Sequence, residues 1–437
     1  MAYINASERT NLTDFERLGL SAHLLNTLKT QGLTNPTPIQ KQAIPHVLDG
    51  RDLMGLAQTG TGKTAAFGLP LVHLLMKRGA RPDPKTATAL ILAPTRELAK
   101  QIADNLRGFV RGTHLRVAMV VGGNSVHMQA KQLARGTDLL VATPGRLIDH
   151  LDRRSLTLSD TGYFVLDEAD QMLDMGFIHA LRRIAKLLPT ERQTLLFSAT
   201  MPKLMAEISA SYLTDPVRVE VAPPGKVADK ITQHLHFVGQ TDKGLLLREL
   251  LVKHPSERAL VFLRTKHGAE RLMKQLDRDG FAAASIHGNK SQGQRDRALQ
   301  AFRDGQIKVL VATDVAARGI DIPGVRHVYN YDLPNVPENY VHRIGRTARA
   351  GADGTAYAFC AEAEVGCLRD IEKVMGFAIP VVSGTAWAEA PAKRRSRGGR
   401  PGGAGKTGTP RQATPGGKPK GRSSRRRTGG GRTGKAA

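Results

Sequence analysis

Two short stretches carry residue types that together could handle phosphate. Ala57-Gln58-Thr59-Gly60-Thr61-Gly62-Lys63-Thr64 sets glycines, one lysine and one hydroxyl in the spacing of a phosphate-binding loop. Glycines let the backbone wrap, so that N–H groups meet phosphate oxygens at a helix N-terminus. Lys63 would reach the β- and γ-phosphates, and the Thr64 hydroxyl would hold Mg²⁺. Further along, Tyr163-Phe164-Val165-Leu166 runs into Asp167-Glu168-Ala169-Asp170. Asp167 would complete the metal shell, and Glu168 would polarise the attacking water. Alone, such an acidic strand end would read as a helix cap favoured by the dipole; behind a phosphate loop, phosphoryl transfer is the stronger reading. Arg343 and Arg346 stand three apart on one expected helical face and would neutralise transition-state charge if brought to Lys63. A second loop-like string, Gly405-Lys406-Thr407, is rejected: Arg400 occupies the place of the small first residue and no strand precedes it.

Groups of this kind need rigid strands behind them. Apolar runs recur at Asp52–Ala57, Thr88–Ala93, Val117–Val121, Asp138–Ala142, Tyr163–Leu166 and Thr194–Ser198. After Pro223-Pro224-Gly225 the rhythm restarts, at Ala259–Leu263, Ala282–Ile286, Lys308–Ala312, His327–Tyr331 and Thr355–Phe359. Continuous apolar strands separated by helical patterns predict parallel sheets covered on both faces, hence α/β architecture. The expected division is a first domain over 1–222, a linker over 223–229, a second domain over 230–382 and a tail over 383–437. A helix is expected from the phosphate loop through Leu75, with a kink at Pro70.

Charge narrows the partner. The chain has 437 residues, with 64 Lys and Arg against 39 Asp and Glu, for a net +25. That surplus predicts a polyanion, either nucleic acid or an anionic membrane surface. No apolar stretch approaches the ~18–20 residues of a bilayer span. Met1–Leu20 holds Glu8, Asp14 and Glu16 and no apolar block, so it does not read as a signal peptide. Two cysteines, Cys360 and Cys367, suit a reducing compartment and two buried thiols. A cytoplasmic location without membrane contact is expected. From Pro391 onward the chain is basic, rich in Gly, and without an acidic, aromatic or large aliphatic residue. Such a tail should be disordered and act as an electrostatic arm for nucleic acid.

Asp167-Glu168-Ala169-Asp170 spells the signature of the DEAD-box ATP-dependent RNA helicases, and neighbouring strings resemble that family's motifs in order over roughly Phe15 to Phe377. The resemblance implies two tandem RecA-like parallel-sheet domains, RNA-dependent ATPase activity, and ATP with Mg²⁺ as ligands. Gly32 to Gln40 is similar to the adenine-reading motif, which makes Gln40 the base reader and Phe15 its upstream aromatic. Gln58, Thr59, Gly60, Thr61, Gly62, Lys63 and Thr64 would hold the phosphates, and Asp321 would lie near the ribose. Thr95 and Arg96, Gly123, then Thr143, Gly145 and Arg146 look like first-domain RNA contacts; Arg295 and Thr313 look like second-domain ones. Ser198-Ala199-Thr200 and His342 resemble the elements that couple hydrolysis to strand separation. Met175-Gly176-Phe177-Ile178 and Arg192 to Ser198 look closest to the bacterial RhlE-type branch.

The expected partner is single-stranded or short duplex RNA, bound without sequence preference because few aromatics can read bases. Ribosomal-precursor and RNA-decay complexes are the larger assemblies that would fit. Two other readings stay open: an ATP-independent RNA chaperone working through the tail, and a DNA-directed motor with similar ATPase parts. Two residues depart from the family pattern. Leu33 replaces a common aromatic beside adenine, and Ala348 replaces a common Gly, where one methyl on an expected helix should be tolerated.

Overall fold

The computed structural model describes residues 14–58, 60–201, 203–221, 231–317, 322, 324–348 and 353–387. The expectations for Thr59, Asp321, the 223–229 linker and the basic tail beyond 387 fall outside these residues.

The apolar runs become strands, and three further strands with more polar or exposed residues join them. They are β1 (Leu53–Leu56), β2 (Ala87–Leu92), β3 (Val117–Val120), β4 (Thr137–Ala142), β5 (Tyr163–Leu166), β6 (Gln193–Ser198) and β7 (Val217–Glu220). The second set is β8 (Ile231–Phe237), β9 (Arg258–Leu263), β10 (Ala283–Ile286), β11 (Val309–Thr313), β12 (Val325–Asn330), β13 (Gly354–Cys360) and β14 (Val381–Ser383). All six residues of β2 are buried, as are all six of β4 and β6. At about 1.5–3 kcal/mol per buried Leu or Ile, these central strands drive the assembly.

The first sheet runs β3-β4-β2-β5-β6-β1-β7 and the second β10-β11-β9-β12-β13-β8-β14. Counted from its own first strand, each lobe has the same order: third, fourth, second, fifth, sixth, first, seventh. Every pairing is parallel. The tandem RecA-like arrangement expected from sequence is what the chain forms. Helices cover both faces of each sheet, and the chemistry gathers where the strands end.

Several expectations are corrected. The helix after the phosphate loop spans Lys63–Arg78, so it continues past Leu75, with buried Pro70 inside it. The helix Pro337–Ile344 stops before Arg346, which therefore shares no helical face with Arg343. Ala348 is not helical: its φ of +54° is left-handed, a region that favours glycine. The compact unit extends to Trp387, five residues beyond the break in composition. β14 pairs with β8, and the Trp387 indole donates to the Cys360 carbonyl at 3.0 Å. Cys360 and Cys367 are free thiols, and burial pushes that of Cys360 up to about 12. Among the described residues no helix is long and apolar enough to cross a membrane.

Candidate active site and nucleic-acid cleft

β1 delivers the chain between β6 and β7, and the Ala57 N–H donates to the Ser198 carbonyl at 3.0 Å. The loop then turns through Gly60 and Gly62, both with positive φ, before the helix opens at Lys63. A Cβ on Gly62 would collide with the Gln40 amide, so glycine is required there for space as well as for conformation. Gln40 is engaged at both ends of its amide. Its Oε1 accepts from the Thr37 N–H at 2.9 Å, closing a capping box, and its Nε2 donates to the Gly62 carbonyl at 3.0 Å. It thus braces the phosphate loop, a contact that sequence alone did not suggest. Phe15 packs in the first core beside Leu20 and Leu24 and offers no open ring face, whereas Leu33 is exposed.

Lys63 and Asp167 come together, with Glu168 next along the chain. The Lys63 ammonium is buried without a hydrogen-bond partner, 3.9 Å from Asp167 Oδ1. Burial pushes the Asp167 carboxyl up to about 6; neighbouring Glu168 and Asp170 add to the rise, while Lys63 and the Glu168 N–H oppose it. An orphaned ammonium, a glycine cradle at a helix N-terminus and a destabilised carboxylate fit a triphosphate with a divalent cation. Thr64, second residue of the helix that opens at Lys63, and Asp167 are the side chains that could hold such a cation. Glu168 adopts φ +52°, strained for a side-chain-bearing residue at a reacting centre.

Asp170 makes contacts that the sequence motifs did not announce. Its Oδ2 accepts from the Ala199 N–H at 3.1 Å, the Thr200 N–H at 2.8 Å and the Thr200 hydroxyl at 2.9 Å. The Ser198 hydroxyl in turn donates to the Thr200 carbonyl at 2.7 Å. One carboxylate therefore ties the acidic strand end to the Ser198-Ala199-Thr200 turn. Its position three residues past Asp167 was the only available signal.

The arginines are held within the second lobe. Arg343 is 2 % exposed and locked within the second lobe. It grips Asp314 with two bonds of 2.6 and 2.8 Å, donates to Asn330 and the Asp332 carbonyl, and lies over the Phe262 ring. Arg346 donates to the His342 carbonyl at 3.3 Å. Arg343, Arg346, His342 and Asp314 line one small cavity of the second lobe. None of these arginine contacts reaches the phosphate loop, so reaching phosphate requires Arg343 to leave Asp314.

A cleft of about 400 Å³ brings most of the expected nucleic-acid contacts together. Thr95, Arg96, Thr143, Gly145 and Arg146 line it from the first lobe, and Gly288, Lys290 and Arg295 from the second. A Cβ on Gly145 or Gly288 would meet nothing within 4 Å, so bare backbone leaves room for a ligand's own backbone. Thr95 caps the helix Arg96–Phe109, accepting from the Leu98 N–H at 3.2 Å. Exposed Gly123, together with Gly122, makes space for the Arg96 guanidinium. Thr313, buried at the end of β11, is not among the lining residues.

Arg295, which lines the cleft, also pairs across the lobes. Its guanidinium meets Glu97 of the other lobe at 3.0 Å, with both side chains mostly buried. Gln292 donates to the same Glu97 carboxylate at 3.1 Å and lies 3.5 Å from Arg96. Glu97, Gln292 and Arg295 thus fasten the lobes along the cleft. Glu97 was not foreseen, because nothing local to it in sequence announces a partner almost two hundred residues away.

Comparisons with known proteins agree with this geometry. Residues 37–208 match the DEAD/DEAH box helicase family and residues 242–351 the helicase conserved C-terminal domain. The ATP-dependent RNA helicase CshA of Listeria monocytogenes is 44 % identical over 379 residues, covering 87 % of this chain and 72 % of that protein. The chain belongs to the DEAD-box family of ATP-dependent RNA helicases. A DEAD-box CshA from Bacillus cereus is 43 % identical over 83 % of this chain and 68 % of its own length. Among solved structures, S. cerevisiae Dbp5 bound to RNA and ADP BeF3 superposes with a TM-score of 0.75 at 32 % identity, covering 85 % of this chain and 95 % of Dbp5. Mss116p bound to ssRNA and AMP-PNP gives 0.77 at 26 % identity, over 86 % and 80 %. As a DEAD-box protein the chain is an RNA-stimulated ATPase with RNA as its partner. These relatives do not support the finer RhlE-type placement.

Proposed function

We propose that this DEAD-box helicase hydrolyses ATP when RNA draws its two lobes together, and so opens short duplexes or displaces bound proteins. The observation that carries the proposal is the Asp170 carboxylate, which links the phosphate-handling strand end to the Ser198-Ala199-Thr200 turn. Gln58, Gly60, Thr61 and Gly62 would present backbone to the triphosphate, and Lys63 would take its β- and γ-oxygens. Mg²⁺ held by Thr64 and Asp167 would neutralise charge that develops on those oxygens. Glu168 would orient and deprotonate water.

Arg343 and Arg346 would complete the charge complement after closure, when Arg343 exchanges Asp314 for phosphate. RNA would lie across Arg96, Arg146 and the open backbone at Gly145 and Gly288, and it would favour the closed state that also binds ATP. The site assignments, the division of the chain at 223–229, Mg²⁺ as the metal and a cytoplasmic location all belong to this proposal.

Lys63→Ala and Glu168→Gln should each abolish unwinding of a short RNA duplex and lower hydrolysis by at least ~100-fold, the loss expected on removing one charge or base from a phosphoryl-transfer site. Full unwinding by both variants would favour the chaperone reading. Equal stimulation by single-stranded DNA and RNA would favour the DNA motor.

A further inference from the structure

Away from the ATP and RNA sites, three metal-ligating side chains converge on the second lobe. His254 lies in the turn after the helix Lys243–Val252, Glu257 immediately precedes β9, and His327 is the third residue of β12. The His254 Nδ1 is 3.4 Å from Glu257 Oε2, and the His327 Nε2 hydrogen-bonds the same oxygen. The two imidazole rings face each other, with centroids 4.3 Å apart and planes 29° from parallel. One nitrogen from each ring and one carboxylate oxygen lie within 4.8 Å of one another. We propose that His254, Glu257 and His327 form a binding site for a borderline transition-metal cation, with Zn²⁺ as the reference ion.

Two imidazoles and one carboxylate select zinc, nickel or copper over magnesium or calcium, which prefer all-oxygen shells. Tetrahedral bonds of about 2.0–2.1 Å set ligand atoms roughly 3.3 Å apart, so side-chain shifts on the order of 1 Å seat the ion. To ligate through Nε2, the neutral His327 ring carries its single proton on Nδ1, and the cation takes the place of the hydrogen bond to Glu257. His254 and Glu257 are 36 % and 40 % exposed, leaving an entry path and a fourth position for water.

Two features limit affinity. Arg326 lies near enough to act on both His327 and Glu257. The His327 Nδ1 is buried without a partner, so no acceptor orients the ring. A missing outer partner costs about 10–100-fold, which places the site in roughly the micromolar class. Position separates it from the reaction. Nucleotide and RNA residues gather at the strand ends, whereas Glu257 precedes its strand and His327 lies three residues, about 10 Å, before the end of β12. A bound ion would fasten a helix end to two strands without entering the cleft.

Titration calorimetry of the full chain with ZnCl2, in a non-chelating buffer containing excess Mg²⁺, tests the site. The wild type should bind one more zinc ion than His254→Ala or Glu257→Gln, or bind it at least tenfold more tightly. Zinc should raise the melting temperature of the wild type alone. Both positions are partly exposed, and His254→Ala should keep its RNA-stimulated ATPase without zinc. Identical isotherms for wild type and both variants would overturn the proposal, as would a zinc-induced melting shift retained by both.

Discussion

At the scale of single residues, the informative contacts are those that join distant positions. Glu97 and Arg295 form a mostly buried ion pair between lobes. Removing one partner leaves the other charge buried, so Glu97→Ala and Arg295→Ala should each reduce RNA-stimulated hydrolysis by roughly tenfold or more, while the double variant is little worse than either. Steady-state ATPase rates across RNA concentrations measure that cycle; independent, additive losses would mean the pair does not act as a latch. Asp170→Ala removes four hydrogen bonds to one buried carboxylate and should cost about 3 kcal/mol in denaturant unfolding, with unwinding lost more completely than hydrolysis. Ala348 gives the opposite sign. Left-handed backbone costs alanine about 1–2 kcal/mol, whereas added glycine loosens the unfolded chain by about 0.4–1 kcal/mol. Ala348→Gly should therefore stabilise the protein by roughly 1 kcal/mol, read from its denaturation midpoint.

At the scale of elements, Glu270 shows how a helix holds the cleft in place. From the helix Lys266–Arg278 it accepts from Ser285 on β10, and it pairs with His287 and with Lys290, which lines the cleft. Burial alone would raise its carboxyl, but the bonds from Lys290, Ser285 and His287 outweigh that and bring it down to about 2. A depressed carboxylate stabilises fully above its unfolded value of 4.5, and the contribution fades as pH falls towards 2. The stability gap between wild type and Glu270→Gln should accordingly be wide at pH 6 and shrink steadily below pH ~4.5. Denaturant melts across that range measure it, and a constant gap would count against the ion cluster.

Elements also explain what the sequence made legible. β2, β4 and β6 announce themselves as unbroken apolar runs because both their faces are covered. β8 escaped notice because Ile231-Thr232-Gln233-His234-Leu235-His236-Phe237 mixes polar residues into a strand whose neighbour β14 is exposed. The short edge strand β7 was missed for the same reason. The phosphate loop and acidic strand end were legible because their chemistry is local. The parking of Arg343 on Asp314 and the Glu97 latch were not, since each depends on how separate elements pack.

At the scale of the whole molecule, charge and architecture divide the work. Fifteen Lys and Arg residues and no acid fall in 391–437, beyond the compact unit that ends at Trp387. Truncation after Trp387 should leave RNA-saturated hydrolysis intact while weakening RNA affinity, most strongly at low salt. Every phosphate that the shortened chain no longer neutralises should lower the slope of log affinity against log salt by about 0.7 for single strands. Equal slopes for the two proteins would show that the tail does not touch RNA.

Trp387 is the only tryptophan in the chain, and its indole is pinned to Cys360 at the end of β13. Intrinsic fluorescence excited at the indole therefore reports on one lobe alone, without any label. Circular dichroism, by contrast, averages over two sheets of identical strand order. If the lobes unfold together, the two signals trace one transition; if they part company, the optical curve separates from the dichroic one and identifies which half gives way first.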